Sequence, residues 1–181
     1  MRSTLTRRAA LGGAAALALG SCGGGDPPPS DRPRAGSGAG VLGSIVALEH
    51  AGAAAWAAIA EALRGDARRY ARAIRERELA HAARVGDLVR QLGGTPPQAR
   101  SAEDYAGLFP RLRSEADALH FARDLEERLV RAYLDGVRLL PDRDQRRATA
   151  EIAVDEAEHL AVVHALAGGP AAPQPFVTGM L

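Results

Sequence analysis

The chain has 181 residues, of which 23 are basic and 22 are acidic, so its formal net charge is only +1. All of the basic residues are arginines scattered among acids, and no basic stripe indicates a nucleic-acid partner. A single cysteine excludes a framework of intramolecular disulfides. The roughly 140 residues that follow the N-terminal region are enough for one domain with its own hydrophobic core.

Residues 1–21 are predicted to be an export signal and not part of the fold. Arg7 and Arg8 precede the apolar stretch Ala9–Leu19, which is too short to span a bilayer. This order is typical of a twin-arginine signal. The stretch ends in a Leu-Gly-Ser-Cys box that resembles a lipoprotein cleavage site. The resemblance implies lipidation of Cys22 and anchoring at the outer face of the cytoplasmic membrane or in the periplasm. The alternative is an ordinary cysteine near a plain cleavage site.

A tether is predicted to follow the signal. Removal of the signal takes away three arginines and no acid, which leaves a mature chain with a net charge of about −2. Residues 22–40 are mostly Gly, Pro, Ser, Asp and Arg and contain no large apolar side chain. Such a composition predicts a flexible connection between the lipid and the domain. Beyond the signal, we expect no apolar run that is long enough to cross a membrane.

Four long segments with helical periodicity come next, and they predict an all-α domain at residues 41–169. The predicted helices run over residues 41–64, 66–92, 114–140 and 143–167, and a loop-like tail covers residues 170–181. Short turns join the first helix to the second and the third to the fourth. The connection at residues 94–113 is long enough to travel the length of a helix, with a short helical turn near residues 104–109. This pattern predicts an antiparallel four-helix bundle with a long crossover between helices 2 and 3.

The two halves of the domain carry matching glutamates and histidines. The sequences Glu-Leu-Ala-His at residues 78–81 and Glu-Ala-Glu-His at residues 156–159 are the only Glu-x-x-His motifs in the chain. Glu49 lies 29 residues before the first motif, and Glu126 lies 30 residues before the second. This order of ligands is that of a dinuclear metal site inside a four-helix bundle.

All six residues are predicted to lie on the inward-facing stripes of their helices, where Leu or Ile would be usual. Burial of an ionised carboxylate without compensation costs several kcal/mol, and four carboxylates would also repel one another. Protonation, arginine partners or metal cations can offset that charge. Carboxylate oxygens together with imidazole nitrogens suit two Fe or Mn ions, and Zn also fits. Two divalent ions would balance four carboxylates and leave the histidines neutral.

The pattern resembles the ferritin-like superfamily, and more narrowly the bacterial ferritin-like domain of exported proteins. The resemblance covers about Leu42 to Thr178. It includes a Leu-Glu…Ala-Tyr signature at residues 125–133, Asp-Glu-x-x-His at residues 155–159 and a Pro-Phe pair at residues 175–176. It implies two bridging glutamates, with one further glutamate and one histidine for each metal ion. The implied ligands are Glu78 and Glu156 as bridges, Glu49 and His81 for one ion, and Glu126 and His159 for the other.

The resemblance also implies an outer hydrogen bond to one histidine. In relatives with Asp-Glu-x-x-His, the aspartate orients the histidine of the opposite helix pair, which here places Asp155 beside His81. At the matching position of the first motif this chain has Arg77. His159 is therefore left without an evident carboxylate partner.

Two aromatic residues, Trp56 and Tyr133, are expected to face inward one heptad after a lone glutamate. Their place next to the ligands is compatible with a redox relay, although core packing is the favoured interpretation. The remaining histidines lie off the stripes and are expected at the surface or flanks, with His164 also considered as a neighbour of the ligands. They are His50, His120 and His164.

The leading hypothesis is a lipid-anchored di-metal carboxylate protein that oxidises ferrous iron or reduces O₂ or peroxide at the cell envelope. One alternative is a metal-free or structural-metal scaffold, or a stress-related binding module, in which Arg84, Arg123 or Arg131 satisfies the glutamates. Another is peroxide dismutation of the manganese catalase type. A storage cage is disfavoured, because no fifth long helix is evident and a lipid tether fits a closed shell poorly. A homodimer remains compatible with all of these hypotheses.

Overall fold

The computed structural model describes residues 37–173 and residue 179, and its secondary structure within these residues is entirely helical. The expected signal and most of the tether lie outside the described residues. The helices are α1 (Gly38–Ala62), α2 (Gly65–Gln91), α3 (Ala102–Ala106), α4 (Glu115–Leu139) and α5 (Arg143–Leu166). The prediction of an all-α bundle is confirmed. The long helices begin and end within three residues of their expected positions, and α3 supplies the short helical turn of the crossover.

Side-chain caps explain why most of the helices begin where they do. Ser37, Ser101 and Ser114 each accept a hydrogen bond from a backbone N–H in the first turn of α1, α3 and α4. Asp142 accepts two such bonds at the start of α5. Because Ser37 caps the first helix, α1 begins at Gly38, inside the stretch expected to be tether.

The long helices pack as two hairpins. The helix α1 lies along α2, and α4 lies along α5, with two or three residues between the members of each pair. The two hairpins meet mainly through α1 and α4, whereas α2 touches α5 only lightly. The crossover places α3 against α1. This arrangement brings the middles of all four long helices to the centre of the bundle.

Two apolar clusters fill the bundle on either side of its centre. The first, here called the Trp56 cluster, contains Ala55, Trp56, Ile59, Ala60, Leu63, Ala71, Ile74, Ala118, Ala122, Leu125, Leu129 and Val163. The second, the Tyr133 cluster, contains Leu42, Ile45, Val46, Val85, Leu88, Val89, Tyr133, Leu140, Ala148 and Ile152. Along α1, α2 and α5 the predicted metal ligands fall between the residues of these two clusters, and on α4 Glu126 lies next to the last Trp56-cluster residue, Leu129, before Tyr133. A buried polar layer therefore separates two apolar ones.

The spacing of apolar residues also predicts inward positions for Leu92, Leu119 and Val137, near helix ends, and these three are the exceptions to the burial of the stripes. Leu92 is 39% exposed because it lies just beyond the last residue of α2. Leu119 and Val137 are half-buried. In α4 it is Gly136, next to Val137, that faces the core, and a Cβ there would lie 2.9 Å from Cδ1 of Ile45.

The helix α1 is long and apolar enough to cross a membrane by length and composition, with a mean hydropathy of 1.3. The expectation that no such run exists is therefore wrong for this segment. However, 56% of the most apolar 18-residue stretch of α1 is buried inside the bundle, where the helix contacts α2, α3 and α4. A helix in the centre of a bundle passes the same test, so this finding is weak evidence for a membrane span.

Candidate metal centre

The six predicted ligands come together in the polar layer. Each is buried, and the four glutamates have no exposed surface. They form two overlapping sets, in each of which one ligand atom per residue lies within 4.8 Å of the others. Both sets contain Glu78 and Glu156. The sets are Glu49, Glu78, His81 and Glu156, and Glu78, Glu126, Glu156 and His159.

The helices α2 and α5 each contribute a glutamate and a histidine, which face the same way because they are three residues apart on a helix. Each histidine lies next to the glutamate of the other motif. Nδ1 of His81 lies 2.8 Å from Oε1 of Glu156, and Nδ1 of His159 lies 3.0 Å from Oε1 of Glu78. The imidazole rings are stacked, with centroids 5.9 Å apart. Each histidine thus meets the glutamate of the other motif.

Trp56 and Tyr133 also cross between the halves. Nε1 of Trp56, on α1, donates a hydrogen bond of 2.6 Å to Oε1 of Glu126, on α4. The hydroxyl of Tyr133, on α4, donates a short hydrogen bond to Oε1 of Glu49, on α1. Both aromatic side chains are buried, as expected, but each also holds a ligand carboxylate. The heptad spacing on a single helix placed each of them near the glutamate of its own helix, and the packing of α1 against α4 pairs it with the other.

The outer nitrogens of the two histidines have different surroundings. Nε2 of His81 lies 3.2 Å from Oδ2 of Asp155, in agreement with the expected contact. Nε2 of His159 is buried and has no hydrogen-bond partner among the described residues. Arg77 instead lies near the surface, 3.8 Å from Oε2 of Glu158.

The unpartnered ligand atoms fit two metal ions. Among the described residues, both oxygens of Glu78 and both oxygens of Glu156 are buried and accept no hydrogen bond, although a histidine nitrogen lies 2.8 to 3.4 Å from three of these four atoms. Glu49 and Glu126 each leave only one oxygen free, because Tyr133 or Trp56 occupies the other. Buried polar atoms without partners are rare in proteins and often mark a missing ion. Two free oxygens suit a bridging ligand, and one suits a terminal ligand.

When no metal ion is bound, the carboxyl and imidazole groups of this layer shift the pKa values of one another. Burial raises the pKa of Glu49 and of Glu126 well above the usual value. Burial lowers the pKa of His159, but the close carboxylates of Glu126, Glu156 and Glu78 outweigh this effect and raise the pKa to about 12. Burial raises the pKa of Glu156, but the two histidines outweigh it and lower this pKa. Protons therefore carry out the compensation that divalent cations would otherwise provide.

Within residues 37–173, arginines do not neutralise the four inward glutamates. Among the described residues, no salt bridge joins an arginine to any of them. Arg123 pairs with Asp124, and Arg131 donates to the backbone oxygen of Gly179. Arg84 lines a pocket beside His81. The alternative in which these three arginines satisfy the buried glutamates is therefore wrong.

Two residues next to the site carry information that the sequence analysis missed. A Cβ at Gly52 would lie 3.3 Å from Oε2 of Glu78, so glycine leaves room for that carboxylate. Glu127 lies beside the inward stripe of α4, and this position predicts a solvated side chain, but the side chain is only 15% exposed. Of the other histidines, His120 is exposed, and His50 and His164 are half-buried, as expected of flank positions. The role of Gly52 could have been inferred from its position on the inward stripe of α1, three residues after Glu49.

A small pocket of about 420 Å³ opens between α2 and α5 and reaches the site. It is lined in part by His81, Asp155, Arg77 and Arg84. The light packing of α2 against α5 accounts for this opening. Small molecules and ions can approach the polar layer from this side, whereas the two apolar clusters close the bundle above and below it.

The comparison with protein families agrees with the geometry. A family model described as a ferritin-like domain matches residues 37–169, which include all five helices and all six candidate ligands. No curated protein matches the chain in sequence. The match covers well over half of the chain, and the bundle with its crossover and buried glutamate layer is consistent with it. The chain belongs to the ferritin-like domain family.

Proposed function

We propose that this protein is a di-metal carboxylate protein that oxidises ferrous iron or reduces O₂ or peroxide at the cell envelope. The observation that carries the proposal is the pattern of free oxygens in the polar layer. Glu78 and Glu156 each keep two, and Glu49 and Glu126 each keep one. Hydrogen bonds from a tyrosine and a tryptophan produce this difference.

The residues divide naturally between two ions. Glu78 and Glu156 belong to both ligand sets and would bridge the ions. Each ion would then take one terminal glutamate and one histidine, which are Glu49 with His81 and Glu126 with His159. Mixed carboxylate and imidazole ligands favour Fe or Mn, and Zn is also accommodated. Two divalent charges would replace the protons that the layer holds in the metal-free protein.

The bound ions would supply the electron-transfer chemistry, and the protein would supply orientation and access. Tyr133 and Trp56 hold the two terminal carboxylates in place. The Trp56 and Tyr133 clusters keep bulk water away from both sides of the layer. The pocket beside His81 offers a path for small oxidants and for ferrous ions as substrate.

We also propose export by the twin-arginine route and attachment of a lipid to Cys22. The support is the Arg-Arg pair, the short apolar stretch and the small residues directly before the only cysteine. Since this route carries folded proteins, an ion loaded before export would survive the passage. Labelling of cells with palmitate and treatment with globomycin test the anchor. Incorporation of label and globomycin-sensitive processing are expected, and the absence of both would remove the anchor.

Metal analysis of the full chain tests the central proposal. After anaerobic reconstitution with Fe²⁺ or Mn²⁺, we expect two ions per chain. Near-zero Fe, Mn and Zn would refute the metal site and would favour the scaffold alternative. If metal binds, oxygen consumption with ferrous iron indicates ferrous oxidation. Turnover of hydrogen peroxide without an added reductant indicates dismutation of the catalase type instead.

A further inference from the structure

The two histidines of the site come from matching motifs but differ at the nitrogen that faces away from the glutamates. On His81 this nitrogen, Nε2, lies 3.2 Å from a carboxylate oxygen of Asp155. On His159 the same nitrogen is buried and has no hydrogen-bond partner among the described residues. Both rings are almost fully buried, so solvent does not readily replace the missing partner.

The two histidines have different surroundings because the residue directly before the glutamate differs between the two motifs. Asp155 directly precedes the glutamate of the second motif and contacts the histidine of the first. Because α2 and α5 run antiparallel, the matching position for His159 is Arg77, which directly precedes Glu78. A guanidinium has only donors and cannot accept the N–H of an imidazole. The Arg77 side chain lies 3.8 Å from Glu158 and is 54% exposed.

This difference has consequences for metal binding. A metal-bound imidazole usually donates its other N–H to an acceptor, which fixes the tautomer and the ring orientation and raises the basicity of the ligand. Loss of such a partner typically lowers metal affinity by about 10- to 100-fold. An ion beside His159 would also force a buried N–H to remain unpaired. The pocket between α2 and α5 adds a second difference, because it is lined by His81 and not by His159.

We propose that the two metal positions are unequal: the His81 position fills first and holds its ion about 10- to 100-fold more tightly than the His159 position. The protein then passes through a one-ion state in which the His81 position is filled. Asp155 and Arg77 are positioning residues that set this difference without contacting the ions. The inference rests on the proposed di-metal function.

Anaerobic titration of the metal-free full chain with Co²⁺, followed by calorimetry and visible absorption, tests the inference. Two separate steps are expected, with affinities about 10- to 100-fold apart. Arg77→Asp would supply the missing acceptor and should tighten the second step by a similar factor. Asp155→Ala should weaken the first step and bring the two steps together. Since Asp155 is 45% exposed in its side chain, this variant is expected to fold.

Arg72→Asp is the matched control, because Arg72 is an exposed arginine of α2 outside this pocket and the substitution makes the same change in charge. It should leave the separation of the two steps nearly unchanged. Equal tightening by Arg72→Asp and Arg77→Asp would reduce the effect to net charge and overturn the inference. Two steps of equal affinity in the unaltered chain would overturn it and leave the di-metal function standing. No binding of Co²⁺ at all would refute the proposed function and this inference with it.

Discussion

The two helix hairpins supply the same ligands but surround them differently. The hairpin α1–α2 contributes Trp56 and Arg77, whereas α4–α5 contributes Tyr133 and Asp155 at the matching places. The polar contacts of these side chains run across the bundle and not within one hairpin. The six candidate ligands are therefore arranged almost symmetrically between the two hairpins. The asymmetry of the site comes from the residues that hold them.

Neither hairpin makes a complete ligand set. The set around His81 contains three residues of the hairpin α1–α2 and Glu156 of the other hairpin. The set around His159 contains three residues of the hairpin α4–α5 and Glu78 of the other hairpin. The two sets are therefore tied together through the shared glutamates. Substitutions at shared and unshared positions should have unequal effects.

The largest expected effect comes from the shared ligands. Glu78→Ala or Glu156→Ala should reduce the metal content of the reconstituted chain from two ions to nearly none, because each removes a ligand from both positions. Glu126→Ala should leave one ion, in the His81 position. Metal analysis by mass spectrometry of the full chain provides the measurement. Glu61→Ala, an exposed glutamate of α1, is the matched control and should retain two ions. Two ions in both Glu78→Ala and Glu156→Ala would refute the bridging roles.

The next effect is a dependence of stability on pH that metal should suppress. The pKa of His159 is raised to about 12, so the folded state retains a proton that the unfolded state loses above about 6.5. The raised pKa values of Glu49 and Glu126 act in the same direction. Between pH 7 and pH 9 the free energy of unfolding of the metal-free chain should fall by up to about 1.4 kcal/mol per pH unit for each retained proton.

Chemical denaturation at several pH values measures this slope. His159→Gln should flatten it, whereas His120→Gln, at an exposed histidine, should not. With metal bound the slope should become smaller, because the ions displace the retained protons. A metal-free chain whose stability stays constant or rises from pH 7 to pH 9 would contradict the assigned charge states.

The smallest effect concerns the crossed aromatic contacts. Tyr133→Phe and Trp56→Phe each remove one hydrogen bond to a buried carboxyl group and should lower the free energy of unfolding by about 1–3 kcal/mol. Each should also weaken metal binding, because a terminal carboxylate loses its orientation. Tyr105→Phe is the control, since its hydroxyl accepts from the backbone of Arg100 in the crossover. It should alter stability alone, and unchanged metal affinity in all three variants would argue against an orienting role.

Much of the fold could be predicted from the helical periodicity of the sequence and from the turns that interrupt it. The stripes of α1, α2, α4 and α5, interrupted by short turns and one long connection, left few arrangements other than a bundle with a crossover. The six candidate ligands were recognisable because charged residues occupied positions where a core requires apolar ones. Their burial in one layer agrees with that reasoning.

Contacts between helices were harder to anticipate. The heptad spacing of Trp56 showed that it faces inward, but its partner Glu126 depends on how α1 packs against α4. The partial burial of Glu127 and the room at Gly52 likewise depend on neighbouring helices. Arginine partners for the buried glutamates were a reasonable alternative, and only their distance from the layer excluded it. The export signal and the lipid anchor stay predictions.

The sequence alone therefore predicts the helices, their connections and the identity of the ligand residues. Helical periodicity and burial preference can be read from a few neighbouring residues at a time. The division of free oxygens among four glutamates, and the unequal surroundings of His81 and His159, required the packed bundle. These features join side chains that are 70 or more residues apart in the sequence. Hydrogen bonds depend on distances of a few tenths of an ångström, and such distances arise only when the helices have packed.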